Sequence, residues 1–66
     1  MTILLNGERI DARGAANVSE LTDKFQFTPD SILIEHNGTA LFRREWEFCT
    51  LHDGDRVEFV HVAAGG

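Results

Sequence analysis

Two Asn-Gly pairs, Asn6-Gly7 and Asn37-Gly38, do most to limit how this chain can fold. Both residue types tolerate positive φ, and a tight two-residue hairpin turn demands it at both central positions. The first pair sits between an apolar run, Ile3-Leu4-Leu5, and an alternating stretch, Glu8-Arg9-Ile10-Asp11-Ala12, so residues 1–12 read as a β-hairpin. The second pair separates a strand over 31–37, with Ile32, Leu33 and Ile34, from a short strand over 39–42. Asp53-Gly54-Asp55 is a third turn, and 56–62 is the last strand.

One helix is expected between the two hairpins. Asn17 can cap it, with Glu20 three residues on completing a capping-box pattern. Val18, Leu21, Thr22 and Phe25 follow as an apolar stripe at i, i+3, i+4 and i+7. The helix should stop near Phe27, because Thr28 precedes Pro29 and is pushed towards extended geometry. So short a helix is marginal alone and must be held by packing on a sheet. Arg43–Phe48 reads as irregular chain or a single helical turn, and Trp46 as a core or boundary aromatic. The expected fold class is α+β: a mixed sheet of four to five strands with one main helix on one face. The helical crossover allows the first and last strands to lie side by side. The expected core is Val18, Leu21 and Phe25 with Ile3, Leu5, Ile10, Ile34, Leu41, Leu51, Val57 and Phe59.

Size and charge then exclude whole classes of function. A chain of 66 residues buries only about 60% of its unfolded surface, enough for one small core and not for a two-lobed active site. Eleven acidic residues against six basic give a net charge of −5. That is the wrong sign for nucleic acid or an anionic membrane surface, and suits a protein partner with a basic docking surface. No apolar run approaches the roughly 20 residues of a transmembrane span, and residues 1–5 lack the basic start of a signal peptide. Cys49 is the only cysteine, so no internal disulfide can form, and a reducing cytoplasm is the expected location. Cys49, His36, His52 and His61 are not closely spaced, so no metal site is expected.

No residue pattern within the chain calls for catalysis. Cys49 lacks the activating surroundings of a nucleophile and reads as a small buried hydrophobe. Asp53 and Asp55 flank Gly54 and read as turn formers rather than as an acid–base pair. His61 alternates with Val60 and Val62 and reads as a surface or edge histidine. The glycines form no phosphate-binding loop, so no cofactor is expected on this chain.

The C-terminus, Ala63-Ala64-Gly65-Gly66, admits two readings. It is a frayed end, or it is a slim tail, residues 63–66 following a domain of 1–62, that threads into a partner's narrow channel. Gly-Gly has the smallest cross-section a backbone can have. In the second reading Gly66 presents its α-carboxylate for activation, with Gly65 and Ala64 needed for threading. If Val57 and Phe59 face the core, then Glu58, Val60 and Val62 face outward. Met1, Ile3 and Leu5 then point inward and Leu4 outward. Leu4, Val60 and Val62 would form an apolar docking patch near the tail, unless the segment around Trp46 covers that face.

Taken in order, several segments carry a resemblance across nearly the whole chain. They are Ile3-Leu4-Leu5-Asn6-Gly7, Val18-Ser19-Glu20-Leu21, Asn37-Gly38, Arg43 and Trp46, Leu51-His52-Asp53-Gly54-Asp55, Val57-Glu58-Phe59-Val60 and Ala64-Gly65-Gly66. The chain resembles the ThiS family of sulfur carriers in the ubiquitin-like β-grasp group. The resemblance implies that a ThiF-like adenylyltransferase, using its own ATP and magnesium, activates Gly66. Sulfur would come from a cysteine desulfurase, and a ThiG-like thiazole synthase would accept it from a terminal thiocarboxylate. The free carrier is expected to be a monomer. Three positions depart from the pattern. Phe42 stands where many relatives have proline, Val60 where some carry a larger aromatic, and His36 in a strand position that is often apolar. The alternatives are a MoaD-like carrier for molybdopterin synthesis, a ubiquitin-like modifier, and a plain interaction module.

Overall fold

The computed structural model describes residues 1–27 and 29–61. Strand β1 (Thr2–Leu5) turns at Asn6-Gly7 into β2 (Glu8–Asp11). Helix α1 (Val18–Lys24) and a 3-10 turn, Pro29–Ser31, lead to β3 (Ile32–His36), which turns at Asn37-Gly38 into β4 (Thr39–Leu41). A 3-10 helix, Arg43–Phe48, precedes β5 (Arg56–His61). Both Asn-Gly pairs take the left-handed conformation the hairpins require: φ is 51° and 82° at Asn6 and Gly7, and 50° and 87° at Asn37 and Gly38.

The five strands form one mixed sheet in the order β2-β1-β5-β3-β4. The last strand therefore enters between the first hairpin and the second. It runs parallel to β1, with Leu4 opposite Arg56 and Leu5 opposite Val57. It runs antiparallel to β3, with Ile34 opposite Phe59 and Ile32 opposite His61. Beyond the paired residues, the Asn6 side chain prolongs the β1 contact by accepting from the Phe59 N–H at 2.8 Å.

One face of the sheet is closed by α1. Ile3, Val18, Leu21, Ile34 and Val57 are the largest side chains fully removed from water, each worth about 1.5–3 kcal/mol of hydrophobic stabilisation. Phe25, Leu5, Ile10 and Leu41 pack around them half-buried, and Leu51 and Phe59 complete the expected core. Ile32, Ala12, Ala15 and Trp46 belong to it as well. Met1, expected to point inward, is 49% exposed. It precedes the first paired residue, Thr2, and among the described residues is held across the hairpin only by its carbonyl, which accepts from the Ala12 N–H at 2.9 Å.

The helix starts as its sequence directs. The Asn17 side chain accepts from the Glu20 N–H at 2.8 Å, and the Glu20 carboxylate accepts from Ala16 N–H at 2.9 Å, one residue earlier than an ordinary capping box. It ends sooner than Pro29 requires. Gln26 adopts φ of 58°, the Gln26 N–H donates to the Asp23 carbonyl, and the Phe27 N–H donates to the Thr22 carbonyl. This pair of bonds is a Schellman stop, built here on glutamine rather than glycine. The chain turned back by it sets the Phe27 ring edge-on against Phe59, centroids 4.5 Å apart.

Candidate functional site

From Arg56 to Val60 the strand β5 alternates: Val57 and Phe59 are buried, and Arg56, Glu58 and Val60 are exposed. The same parity holds on β3, where Ile32 and Ile34 are buried and Leu33 and Glu35 are exposed. Register places Leu33 opposite Val60 and Glu35 opposite Glu58, all on the face away from α1. The Trp46 segment does not cover this face. Its 3-10 helix packs against α1, and Trp46 is only 4% exposed within the core. Leu4 shares the open face but stands opposite Arg56, four residues along β5 from Val60. The apolar neighbour of Val60 is Leu33 instead, at 61% exposure against 50% for Val60.

Leu33 was not among the expected docking residues. Ile32-Leu33-Ile34 is an unbroken apolar run with no alternation to read. Glu35, the first polar residue after it, sets the parity and puts Leu33 outside. The remaining expected site residues, Val62, Ala64, Gly65 and Gly66, and the boundary between 1–62 and the tail, lie outside the described residues. They continue the chain directly from His61, the end of the central strand.

At the opposite end of β5 the acidic turn is structural. Asp53 accepts from the Thr2 N–H at 2.8 Å, and the Gly54 N–H donates to the Thr2 carbonyl at 2.7 Å. Asp55 accepts from His36 Nε2 at 2.7 Å, from the His52 N–H at 2.9 Å and from Asn37 Nδ2 at 3.3 Å. Burial on its own would raise the Asp55 carboxyl. The bonds from His36, His52 and Asn37 together outweigh it and hold the carboxyl below its ordinary range. His36 thus faces inward at the sheet end, opposite Val57, and is satisfied there by a carboxylate. His61 is exposed, with its ring 6.2 Å from that of Phe27.

Cys49 is half-buried, and burial, followed by the charges of Asp55 and Glu45, pushes its thiol up. That disfavours the thiolate a nucleophile needs. Among the described residues no group of three or more His, Cys, Asp or Glu could hold a metal ion. A groove of about 480 Å³ is lined by Thr2, Ile3, Leu4, Arg9, Asp53 and Gly54. The polar groups of Asp53 and Gly54 there are already engaged with Thr2. Among the described residues no helix is long and apolar enough to cross a membrane.

A five-stranded mixed sheet that closes one face over a single helix, with its last strand beside its first, defines the ubiquitin-like β-grasp class. Within that class the chain belongs to the ThiS family, whose model matches residues 3–66. It is similar to the crystal structure of the thiamine biosynthesis protein ThiS from Geobacter metallireducens. The two are 33% identical with a TM-score of 0.86, and all of each chain is covered. A solution structure of a thiamine biosynthesis protein from the same organism gives 33% identity and a TM-score of 0.81, over all of this chain and 88% of that one. The protein ycf40 of Trieres chinensis is 25% identical over 65 residues, covering 98% of this chain and 89% of the relative. Its counterpart in Porphyra purpurea is 29% identical over 66 residues, covering 100% and 93%. Family membership places the chain among the small sulfur carriers of thiamine biosynthesis, which work with enzymes of that pathway.

Proposed function

We propose that this chain carries sulfur on its own C-terminus. A ThiF-like enzyme, holding ATP and magnesium, lets the Gly66 carboxylate attack the α-phosphate. Pyrophosphate leaves, and the poor electrophile becomes an acyl adenylate. A sulfur nucleophile, drawn from a cysteine desulfurase persulfide, then displaces AMP. A thiol cleaves the remaining S–S bond and leaves a terminal thiocarboxylate. A ThiG-like thiazole synthase accepts the sulfur, and the carboxylate returns for another cycle.

The single observation behind this reading is that the family match runs to Gly66, through the Gly-Gly end that continues from the central strand. Placing the reactive end directly after the best-anchored strand ties it to the rigid body that a partner would grip. The grip is the open sheet face, where Val60 and Leu4 lie, with Val62 continuing from His61. The raised Cys49 thiol accords with chemistry that belongs to the tail and not to this cysteine.

Deletion of Gly65-Gly66 is the direct test. The truncated chain should keep its melting temperature and lose all ATP–pyrophosphate exchange with the activating enzyme. A truncated chain that still supports exchange contradicts the role of Gly66. A truncated chain that unfolds shows that the end is structural.

A further inference from the structure

Arg43-Arg44, the only adjacent pair of basic residues in the chain, has no part in the carrier reading. The pair opens the 3-10 helix over 43–48, which packs against α1. A hollow of about 280 Å³ is lined there by Ser19 of α1 and by Arg43, Arg44, Trp46 and Glu47. Local geometry gathers these side chains. A 3-10 helix repeats every three residues, so Arg43 and Trp46 share one side and Arg44 and Glu47 another. The Arg43 guanidinium lies 5.3 Å from the Trp46 ring centroid, and that of Arg44 lies 4.6 Å from the Phe42 ring centroid. The Glu45 carboxylate is engaged elsewhere, accepting from the Phe42 N–H at 2.7 Å.

Most donors around the hollow are unspent. Among the described residues Arg44 makes no ion pair, and the Ser19 hydroxyl makes no hydrogen bond. Arg43 holds one contact, from its Nη1 to the Asp30 carboxylate at 3.2 Å, and both side chains are exposed. Trp46 Nε1 is buried and has no hydrogen-bond partner among the described residues. An indole N–H can only donate, and a buried donor without an acceptor is costly. It therefore points to an acceptor that the chain itself does not supply.

We propose that this hollow binds a phosphate group, either free phosphate or the phosphate of a mononucleotide. The guanidinium forks of Arg43 and Arg44 hold its oxygens, the Ser19 hydroxyl donates to it, and the anion supplies the acceptor that the Trp46 indole lacks. Asp30 gives up Arg43 readily, because an exposed ion pair is worth little. Glu47 opposes the anion, leaving two cations against one carboxylate in the wall. The net charge of −5 also repels anions at long range, so short-range bonding carries the affinity and the site is weak. This site goes beyond the carrier reading and does not depend on Gly66.

The test titrates the full chain with sodium phosphate and, separately, with AMP, each to about 20 mM at constant ionic strength, with sodium chloride as control. Proton NMR follows the indole N–H resonance, which belongs to Trp46 alone because the chain has one tryptophan. The resonance should shift saturably with a Kd of about 1 mM or tighter, and chloride should not move it. Arg44→Gln should weaken binding at least about fivefold, and Glu47→Gln should tighten it about twofold. Thermal melting checks that each variant is folded. If Arg44→Gln melts well below the parent, Arg44→Lys, which keeps the charge and loses the fork, takes its place and should also weaken binding. AMP binding at least as tightly as phosphate makes a nucleotide the source of the group, and weaker binding makes it free phosphate. No shift up to about 20 mM, a shift that chloride reproduces, or a Kd unchanged in a folded Arg44 variant overturns the proposal.

Discussion

Replacing Asp55 should damage this fold more than any other single change to an acidic side chain. Its carboxylate ties its own turn, through the His52 N–H, to the corner where β3 ends, through His36 and the adjacent Asn37, nineteen and eighteen residues away. The same stretch holds β1, since the Leu4 N–H donates to the Asp55 carbonyl at 2.8 Å. The His36 bond is short, and the Asp55 side chain is 12% exposed, so that bond contributes about 1.5 kcal/mol. The His52 N–H adds about 1 kcal/mol, and the longer Asn37 contact about half of that. Asp55→Ala should therefore lose about 3 kcal/mol, from a total of roughly 3–10 kcal/mol for a domain of this size. The corresponding fall in Tm is about 15 °C. Trp46, the only tryptophan and almost fully buried, supplies the fluorescence signal for the melt.

Asp55→Asn separates charge from shape. The folded-state carboxyl lies below its ordinary value of 3.8. Its charge therefore stabilises the fold at every pH above that value, and the contribution is lost as pH falls through the folded-state value. The gap between parent and Asp55→Asn should accordingly be present from neutral pH down to about pH 4 and close below it. Equal melting of parent and Asp55→Ala, or a gap that persists unchanged at pH 2, would refute the claim that this hydrogen-bonded carboxylate braces the turns.

Three other outcomes follow from the geometry. Gln26→Gly should raise stability by about 0.5–1 kcal/mol in a chemical denaturation series, because glycine takes the φ of 58° at the helix stop without a Cβ clash. Leu21→Ala should cost about 2–5 kcal/mol by the same assay, because Leu21 is fully buried beneath the helix. Val60→Asp should change the Tm by only a few degrees, since the residue is half exposed, and should weaken partner binding at least tenfold in calorimetry. Unchanged binding would remove Val60 from the docking face.

Local chemistry made most of the fold legible in the sequence. Asn-Gly turns, an Asn N-cap and period-two alternation each act within a few residues, and each appears where its chemistry puts it. The helix end was harder, because a Schellman stop depends on one residue accepting positive φ, and Gln26 does not advertise it as glycine would. Leu33 was hidden in an apolar run whose facing is decided by the next polar residue. The bond between His36 and Asp55, nineteen residues apart, follows from strand order and has no local trace. The Gly-Gly end on which the proposed function rests is a feature of sequence alone, because it is named without any tertiary context. The make-up of the open sheet face needed both levels, the parity of β5 from sequence and the register with β3 from structure.

The central claim is that Gly66 is where sulfur is carried, and intact-mass spectrometry tests it most directly. The full-length chain is incubated with the activating enzyme, ATP, magnesium and a sulfur donor, and its mass is recorded with fragmentation to locate any change. The account predicts one oxygen exchanged for one sulfur, confined to Gly66 and dependent on ATP. An unchanged mass with an enzyme shown to be active, or sulfur found on Cys49 instead, would contradict it.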